Sequence, residues 1–416
     1  MPQSIWSSVV QDAIAQAQSS RTASVTVEND SIDIPVPFPS PEDWRDVLIY
    51  QVLVDRFNNP NAPPHRDWDR EVGEFQGGTF NGIKEQLSYL QQMGVGAIWL
   101  SPVMKNCQYS DSSYHGYGIQ DFLTIDPRLA SAPDKAEEEL QNLINESHAR
   151  GMYVIFDIVL NHAGDVFEYQ GHGSTAPWKN DPYLIRWRDE QGLGRPDWVE
   201  APKNQHPDAA VWPTELCHNA SFRRQGEGGE AGGDFASLKE MVTELEGFSY
   251  RDGHFHPVRN ALIRAHQYLI AKFDVDGFRI DTLKYIERDF AQVFGNAMRE
   301  FALSIGKKNF FTFGEVYDNE EKIAGYIGRF ATESSDLVGV DAALDFPLFY
   351  VLPQVAKGLT APSGVIRMFL HRKEVQRGLL SSHGEASRFF VTFLDNHDQH
   401  QRVRYSAPPD PHEFDD

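Results

Sequence analysis

Short runs of β-branched and aromatic residues alternate along the chain with stretches in which apolar residues recur at helical spacing. Seven of these runs, each followed by polar residues, span 47–54, 95–100, 152–159, 274–280, 310–316, 338–344 and 389–394. Runs that are apolar on both faces are typical of buried strands, and strands that alternate with helices are parallel. Seven such units favour a closed (β/α)₈ TIM barrel over an open doubly wound sheet.

A segment of different character precedes the alternating strands and helices, and another interrupts them once. Ile5, Val9, Ala13 and Ala17 recur at helical spacing, so residues 1–46 are predicted to form a short amphipathic helix and a proline-rich linker. Residues 163–253 are rich in Gly, Pro, Trp and charge and lack the strand–helix repeat. Because so long a loop is improbable inside a compact domain, we expect a small inserted domain after the third strand. The barrel then comprises residues 47–162 and 254–416.

Composition and charge exclude several classes of partner. The formal charge is −22, from 60 acidic and 38 basic residues, and a field of that sign repels nucleic acid and anionic membranes. The opening segment lacks the basic and apolar regions of a secretory signal, so we expect a cytoplasmic protein. Cys107 and Cys217 form no CxxC pair and are predicted to be free thiols. The sequence has no GxGxxG or P-loop motif, so we expect no organic cofactor.

Candidate chemistry lies where the predicted strands end. The third strand ends at Asp157, Asn161 and His162, the fourth at Arg279, Asp281 and Lys284, the fifth at Glu315, and the seventh at His397 and Asp398. Reactive residues of such a barrel sit at the carboxyl ends of its strands, so these side chains are expected at one mouth. Acids that share a partly dry pocket raise one another's pKa, and glycoside cleavage uses this, because it needs one protonated and one charged carboxyl.

Arg279 stands two residues before Asp281, on the same face of the predicted strand. A cation in that position is expected to lower the pKa of the Asp281 carboxyl and to hold its rotamer. The pattern therefore favours Asp281 as the carboxylate that stays ionised.

Four segments in chain order carry a resemblance to a known family. They are DIVLNH at 157–162, GFRIDTLKY at 277–285, FGEVY at 313–317 and FLDNHD at 393–398. YQVLVDRF at 50–57 and YHGYGIQDF at 114–122 also fit. From about Val47 to Asp398 the chain resembles the alpha-amylase family, glycoside hydrolase family 13.

The resemblance implies a retaining glycosidase that cleaves α-1,4 bonds of starch, glycogen or maltooligosaccharides. It makes Asp281 the nucleophile, Glu315 the general acid and base, and Asp398 a third carboxylate that binds sugar hydroxyls. The residues implied to bind the glucan are Tyr117, Asp157, His162, Arg279, Lys284 and His397. Retention requires the two reacting carboxyls to be about 5 Å apart.

Structural interpretations of the same residues stay open. Asp281 and Glu315 could take part in structural ion pairs with basic residues at the barrel rim, and Asp157 could organise the site through hydrogen bonds instead of touching the substrate. His162 and His397 could be core histidines with satisfied ring nitrogens. Tyr117 could pack in the core instead of stacking on a sugar ring.

A calcium site between the barrel and the inserted domain is also implied by the resemblance, with oxygen ligands from Asn161 and Asp234. A second carboxylate is expected two residues after Asp234, but Ala236 stands there. The site would therefore lack one charged ligand, which weakens it.

After Asp398 the chain reads QHQRVRYSAPPDPHEFDD, in which no hydrophobic strand is predicted. The family implies an eighth strand and then a C-terminal β-sandwich domain, and both are expected to be absent from this chain. Since a barrel without one strand has two open edges, we expect a complementary C-terminal segment to fill the gap.

Other functions share the same residues. A family-13 glucanotransferase, branching enzyme or trehalose-forming isomerase would use the same carboxylates with a sugar acceptor. A noncatalytic glucan-binding relative or an inactive fragment would bind glucan without cleaving it.

Overall fold

The computed structural model describes residues 4–59, 73–199, 210–229, 232–244, 256–328, 338–375 and 389–398. Its central element is one sheet of seven strands: β1 (Ile49–Val52), β2 (Ala97–Leu100), β3 (Tyr153–Val159), β4 (Gly277–Asp281), β5 (Phe311–Gly314), β6 (Ala342–Leu344) and β7 (Phe390–Val391). The strands lie in chain order and every neighbouring pair is parallel. The seven predicted strands and the barrel-type sheet are thus confirmed. Among the described residues, no eighth strand pairs with β1 or β7.

Helices connect and cover these strands. They are α1 (Ser8–Ala17), α2 (Val54–Phe57), α3 (Phe80–Glu85), α4 (Leu87–Gln92), α5 (Ala136–Ala149), α6 (Pro257–Phe273), α7 (Arg288–Ser304), α8 (Glu320–Tyr326), α9 (Phe346–Ala356) and α10 (Ser363–Val375). The long helices α5, α6 and α7 each bury one apolar face, which is the amphipathic arrangement expected for an outer layer.

Side chains alternate between two cores along each strand. On β3, Val154 and Phe156 belong to the large core between sheet and helices, whereas Ile155 belongs to a smaller cluster. That cluster also contains Trp99, Phe313 and Leu344 from neighbouring strands. Since alternate residues of a strand share a face, Asp157, Arg279 and Asp281 are directed to the same side as the smaller cluster.

The segment before β1 differs in two details from its predicted structure. Of the four predicted apolar positions, Ile5 is buried and Ala13 and Ala17 pack against the core, whereas Val9 is 49% exposed. Val10 and Ile14 complete the buried face, and the helix packs on α6. The segment expected to be a linker also contains an antiparallel hairpin, Arg21–Val27 with Asp30–Val36.

Residues predicted as an inserted domain contain short antiparallel pairs instead of βα units. Phe167–Tyr169 pairs with Ile185–Trp187, and Lys239–Glu240 pairs with His162–Ala163. The second pair attaches the end of this segment to the chain directly after β3. We call the described part of 163–244 the inserted region; its domain boundaries stay a prediction.

Cys107 and Cys217 are free thiols, as predicted. No helix in the described part of the chain has the length and apolar character needed to cross a membrane.

Candidate active site

The carboxyl ends of β3, β4 and β5 bring the predicted residues to one edge of the sheet. Asp157 of β3 lies directly opposite Arg279 of β4 in the strand register. Asp281 is the last residue of β4, and Glu315 follows β5 immediately. The Glu315 N–H donates to the carbonyl of Ile280 at 2.9 Å, which fixes Glu315 beside the end of β4.

Arg279 is the centre of the site. Its guanidinium is fully buried, and Nη1 donates to Asp281 Oδ1 at 2.8 Å and to Asp157 Oδ1 at 2.9 Å. Nη2 lies 3.0 Å from Glu315 Oε2 and 3.9 Å from Asp398 Oδ2. One cation therefore faces four carboxylates, and Asp281 and Glu315 are held by adjacent nitrogens of the same planar group.

Asp157 is held by three donors and has no exposed side-chain surface. Besides Arg279, the Tyr117 hydroxyl donates to Oδ2 at 2.9 Å and Trp99 Nε1 donates to the same oxygen at 3.0 Å. Burial raises the pKa of Asp157 to about 6, although Arg279 opposes the shift. Trp99 was missed by the sequence reasoning. Its signal was an indole, which needs an acceptor for its N–H, inside an otherwise apolar strand.

A second set of side-chain contacts joins the loop after β2 to the residues after β7. The Tyr117 hydroxyl lies 2.5 Å from His397 Nε2, and the two rings stack at 5.7 Å with 9° between their planes. His397 Nε2 is also 3.1 Å from Asp398 Oδ2. Asp398 is more open than the other acids, with 42% of its side chain exposed, so it can reach a ligand in the mouth.

The turn after β4 contacts the carboxylate of Glu315. Thr282 has left-handed backbone angles, φ 48° and ψ 33°, which are costly for a β-branched residue. In this conformation its N–H donates to Glu315 Oε2 at 3.0 Å. The chain thus uses the residue next to Asp281 to orient Glu315, and strained backbone of this kind is characteristic of functional sites.

Burial raises the pKa of Asp281 well above its usual range, and the negative charges of Glu315, Asp157 and Asp398 add to the rise. Arg279 acts in the expected direction, lowering this pKa, but burial outweighs it. The physical reason is that one guanidinium is shared among several acids. Such a group titrates as a unit and retains a proton to higher pH than isolated carboxyls do.

A family model for the alpha-amylase catalytic domain matches residues 51–407. The chain belongs to the alpha-amylase family. Alpha-amylase from Streptomyces lividans is 29% identical over 67% of this chain and 31% of its own length. An Anoxybacillus alpha-amylase structure is 26% identical, covering 86% of this chain and 63% of that one, with a TM-score of 0.54. The chain thus spans less than two thirds of the length of these relatives.

A cyclomaltodextrin glucanotransferase structure is also similar, at 21% identity over 86% of this chain and 65% of that one, with a TM-score of 0.57. At that identity the likeness shows the fold alone. The alpha-amylase fold by itself therefore does not separate hydrolysis from transfer.

Two further residues implied by the alpha-amylase resemblance lie around the central group. His162 is buried, and neither ring nitrogen has a hydrogen-bond partner among the described residues. Burial lowers the pKa of His162 to about 3, so the ring is neutral. Lys284 lies at the rim, where Nζ donates to the carbonyl of Tyr317 at 3.0 Å.

Asp234, one of the two side chains implied to bind calcium, is held by other groups of the chain. Asp234 accepts from the Tyr169 hydroxyl at 2.6 Å and lies 3.4 Å from Lys239 Nζ. The Asn161 side-chain nitrogen is buried without a hydrogen-bond partner in the described part of the chain. No group of three or more His, Cys, Asp or Glu side chains in the described ranges could hold a metal ion. The calcium site implied by the alpha-amylase resemblance does not fit these residues.

Proposed function

We propose that this member of the alpha-amylase family is a retaining α-glucan glycosidase that cleaves α-1,4 bonds of starch, glycogen or maltooligosaccharides. The observation that carries the proposal is the contact of the Arg279 guanidinium with both Asp281 (2.8 Å) and Glu315 (3.0 Å). Two carboxyls held on one side of a buried cation can face the two sides of a single glycosidic bond. Retaining enzymes need this closeness, with separations of about 5 Å, because no water stands between nucleophile and sugar.

In the proposed reaction, Asp281 attacks the anomeric carbon and forms a covalent glycosyl-enzyme. Glu315 protonates the leaving oxygen and then takes a proton from the incoming water. Asp398 accepts hydrogen bonds from sugar hydroxyls, with His162, His397 and Arg279 around the ring. Tyr117, whose ring is stacked between His115 and His397, contacts the sugar through its edge. Lys284 contacts the sugar beyond the cleaved bond.

Repulsion among the acids of the site favours a bound proton. Asp157, Asp281 and Glu315 face one guanidinium, so full ionisation of the three acids would leave excess negative charge in a buried space. A shared proton relieves this repulsion. Burial raises the pKa of Asp281, so the proposed nucleophile depends on Arg279, which lowers that pKa, to carry its charge.

The test is the digestion of maltoheptaose, with the anomer of the first products read by NMR. Retention of the α configuration and shortened products are expected. Asp281→Asn should lose nearly all turnover, a drop on the order of 10⁴-fold or more, while still binding glucan. Exposed Asp134→Asn, which removes a carboxylate far from the site, should match the parent. Products of inverted configuration, or substantial turnover by Asp281→Asn, would refute the mechanism.

Transfer to a sugar acceptor is the second candidate, favoured by the placement of Lys284 and the carbonyl of Tyr317 at the rim beyond Glu315. Polar groups there could hold an acceptor sugar. Chromatography of the maltoheptaose reaction separates the candidates, because transfer yields oligomers longer than the substrate. Binding without any shortened product would instead support a noncatalytic relative.

We also propose that a complementary C-terminal segment supplies an eighth strand between β7 and β1. A cavity of about 750 Å³ lies there, lined by Ile49 and Gln51 of β1 and by Phe390 and Val391 of β7. Its lining combines apolar side chains with polar ones such as Gln51 and Arg299. A slot between two parallel edge strands suits a further parallel strand, which would remove both edges.

A further inference from the structure

One of the fully buried charged side chains outside the candidate active site is an amine in the inserted region. Lys239 has no exposed side-chain surface. It lies on the short strand Lys239–Glu240, paired with His162–Ala163 directly after β3. An ammonium removed completely from water is costly unless the protein replaces its hydration.

The surroundings of Lys239 replace that hydration from several directions. Nζ donates to the carbonyl of Ser174 and lies 3.4 Å from Asp234 Oδ2 and 3.5 Å from Asp165 Oδ1. The rings of Tyr169 and Phe167 lie 4.7 Å and 5.1 Å from Nζ, within the range of cation–π attraction. These contacts come from residues 163–176 as well as from the end of the inserted region, so the ammonium joins its two halves.

Both carboxylates in this group also have other partners within the chain. Asp234 also accepts from the Tyr169 hydroxyl at 2.6 Å and from the Glu240 N–H at 3.0 Å. Asp165 accepts from the Ser174 hydroxyl at 2.7 Å and pairs with Arg188 at 3.1 Å. Asp165 and Asp234 are therefore each paired with a cation of the chain itself, the role that a bound calcium ion would otherwise have.

Glu240, the next acid along the chain, is occupied in the same way. It forms an ion pair with Arg223 and accepts from the Gly233 N–H at 2.7 Å. The inserted region thus neutralises its buried acids with its own lysine and arginine side chains.

We propose that Lys239 is an internal cation that organises the inserted region in place of a bound calcium ion, so that folding and stability of the protein do not depend on calcium. The strand that carries Lys239 pairs with His162, a wall residue of the candidate active site. The internal cation therefore also positions that wall.

The first test uses the unmodified protein and measures its melting temperature, Tm, which does not depend on the proposed glycosidase activity. Dialysis against EDTA, followed by addition of calcium chloride in millimolar amounts, is expected to leave Tm unchanged within about 1 °C. A fall of several degrees in EDTA that calcium restores would overturn the proposal.

The second test removes the charge while keeping most of the volume. Lys239→Met should lower Tm by roughly 10 °C, because two buried carboxylates lose their partner. Lys179→Met, at an exposed lysine of the same region, should change Tm by less than about 2 °C. A Lys239→Met protein as stable as Lys179→Met would contradict the proposal.

Lys239→Arg keeps the test decisive if Lys239→Met does not fold. The arginine retains the charge, so this variant should fold with a smaller loss of Tm and stay insensitive to EDTA. A Lys239→Arg protein that folds only with added calcium would show that the ion, and not the side chain, organises the region.

Discussion

At the scale of single residues, the candidate active site is organised by hydrogen bonds to charged groups. Arg279 contacts Asp157, Asp281 and Glu315, and Asp157 is in turn held by Trp99 and Tyr117. In this arrangement Asp157 positions Arg279 and Tyr117. Because Arg279 also contacts Asp281 and Glu315, a change at Asp157 is expected to alter the position of those two acids. Positioning residues of this kind alter turnover without touching the substrate.

Trp99→Phe tests this positioning. The ring is kept, but the Nε1 hydrogen bond to buried Asp157 at 3.0 Å is lost. A hydrogen bond to a charged group is worth about 1.5–3 kcal/mol, so we expect kcat to fall roughly 10- to 100-fold, with a smaller change in KM. Steady-state kinetics on maltoheptaose give both values.

Trp44→Phe is the matched control for Trp99→Phe. Trp44 belongs to the same apolar cluster, but its Nε1 donates to the carbonyl of Asn309 at 2.8 Å, which is outside the site. This variant should lose stability and keep its kcat. Equal kcat losses in the two variants would mean that the indole of Trp99 acts only through packing.

At the scale of elements, the ends of helices and strands opposite the active site are tied together by buried charges. Lys307, just after α7, lies 2.8 Å from Asp274 at the end of α6 and 2.8 Å from Asp276 before β4. His148 of α5 contacts Asp276 at 2.9 Å and stacks on Phe38. These contacts join three helices to the segment that precedes β1.

Lys307→Met is expected to destabilise the protein by about 3–5 kcal/mol, since it leaves buried carboxylates without their cation. The neighbouring exposed residue supplies the control, and Lys308→Met should stay within about 0.5 kcal/mol of the parent. Urea unfolding measures both. Similar unfolding free energies for the two variants would show that the buried pair contributes no net stability.

At the scale of the whole molecule, the seven-stranded sheet has a slot that its own described residues do not fill. Val391 of β7 and Ile49 of β1 line that slot from opposite edges. The apolar side chains inside the slot are exposed to water when no further segment covers them. Exposed apolar side chains that lie together bind other apolar groups.

We therefore expect the chain by itself to enhance the fluorescence of the apolar dye ANS. Val391→Glu, inside the slot, should reduce the enhancement at least about twofold. Val9→Glu, on the exposed face of α1, makes the same change elsewhere and should not. Absence of any enhancement in the parent protein would show that the slot is already filled.

Buried histidines make the whole molecule sensitive to acid. Burial lowers the pKa of His266 to about 4, of His115 to about 4 and of His162 to about 3. In the unfolded chain these histidines bind protons at their ordinary pKa of about 6.5. In the folded protein the same side chains bind protons only at about pH 3–4. Stability from these groups is therefore complete above about pH 6.5 and is lost as the pH falls below that value.

His266→Phe tests this linkage away from the site, since His266 packs between Phe278 and Phe294. The variant should lose fewer degrees of Tm than the parent between about pH 7 and about pH 4.5. Exposed His172→Phe should keep the parental slope. An unchanged slope in His266→Phe would show that other groups cause the acid loss.

The sequence alone determined the order of the seven strands and the set of acids at their ends. This was possible because strand ends carry local polar motifs, and parallel strands place all their carboxyl ends at one edge. Asp281, Glu315, Arg279, Asp157, Tyr117, His397 and Asp398 were brought together for that reason.

Only the tertiary structure decided which partners these residues have. The indole of Trp99 on Asp157, the Thr282 N–H on Glu315 and the ammonium of Lys239 beside Asp165 join positions far apart in the chain or depend on a single backbone angle. The face that α1 buries and the hairpin at 21–36 likewise depend on what packs against them. Periodicity specifies that a segment has an apolar face; the neighbouring elements select which residues of it are covered.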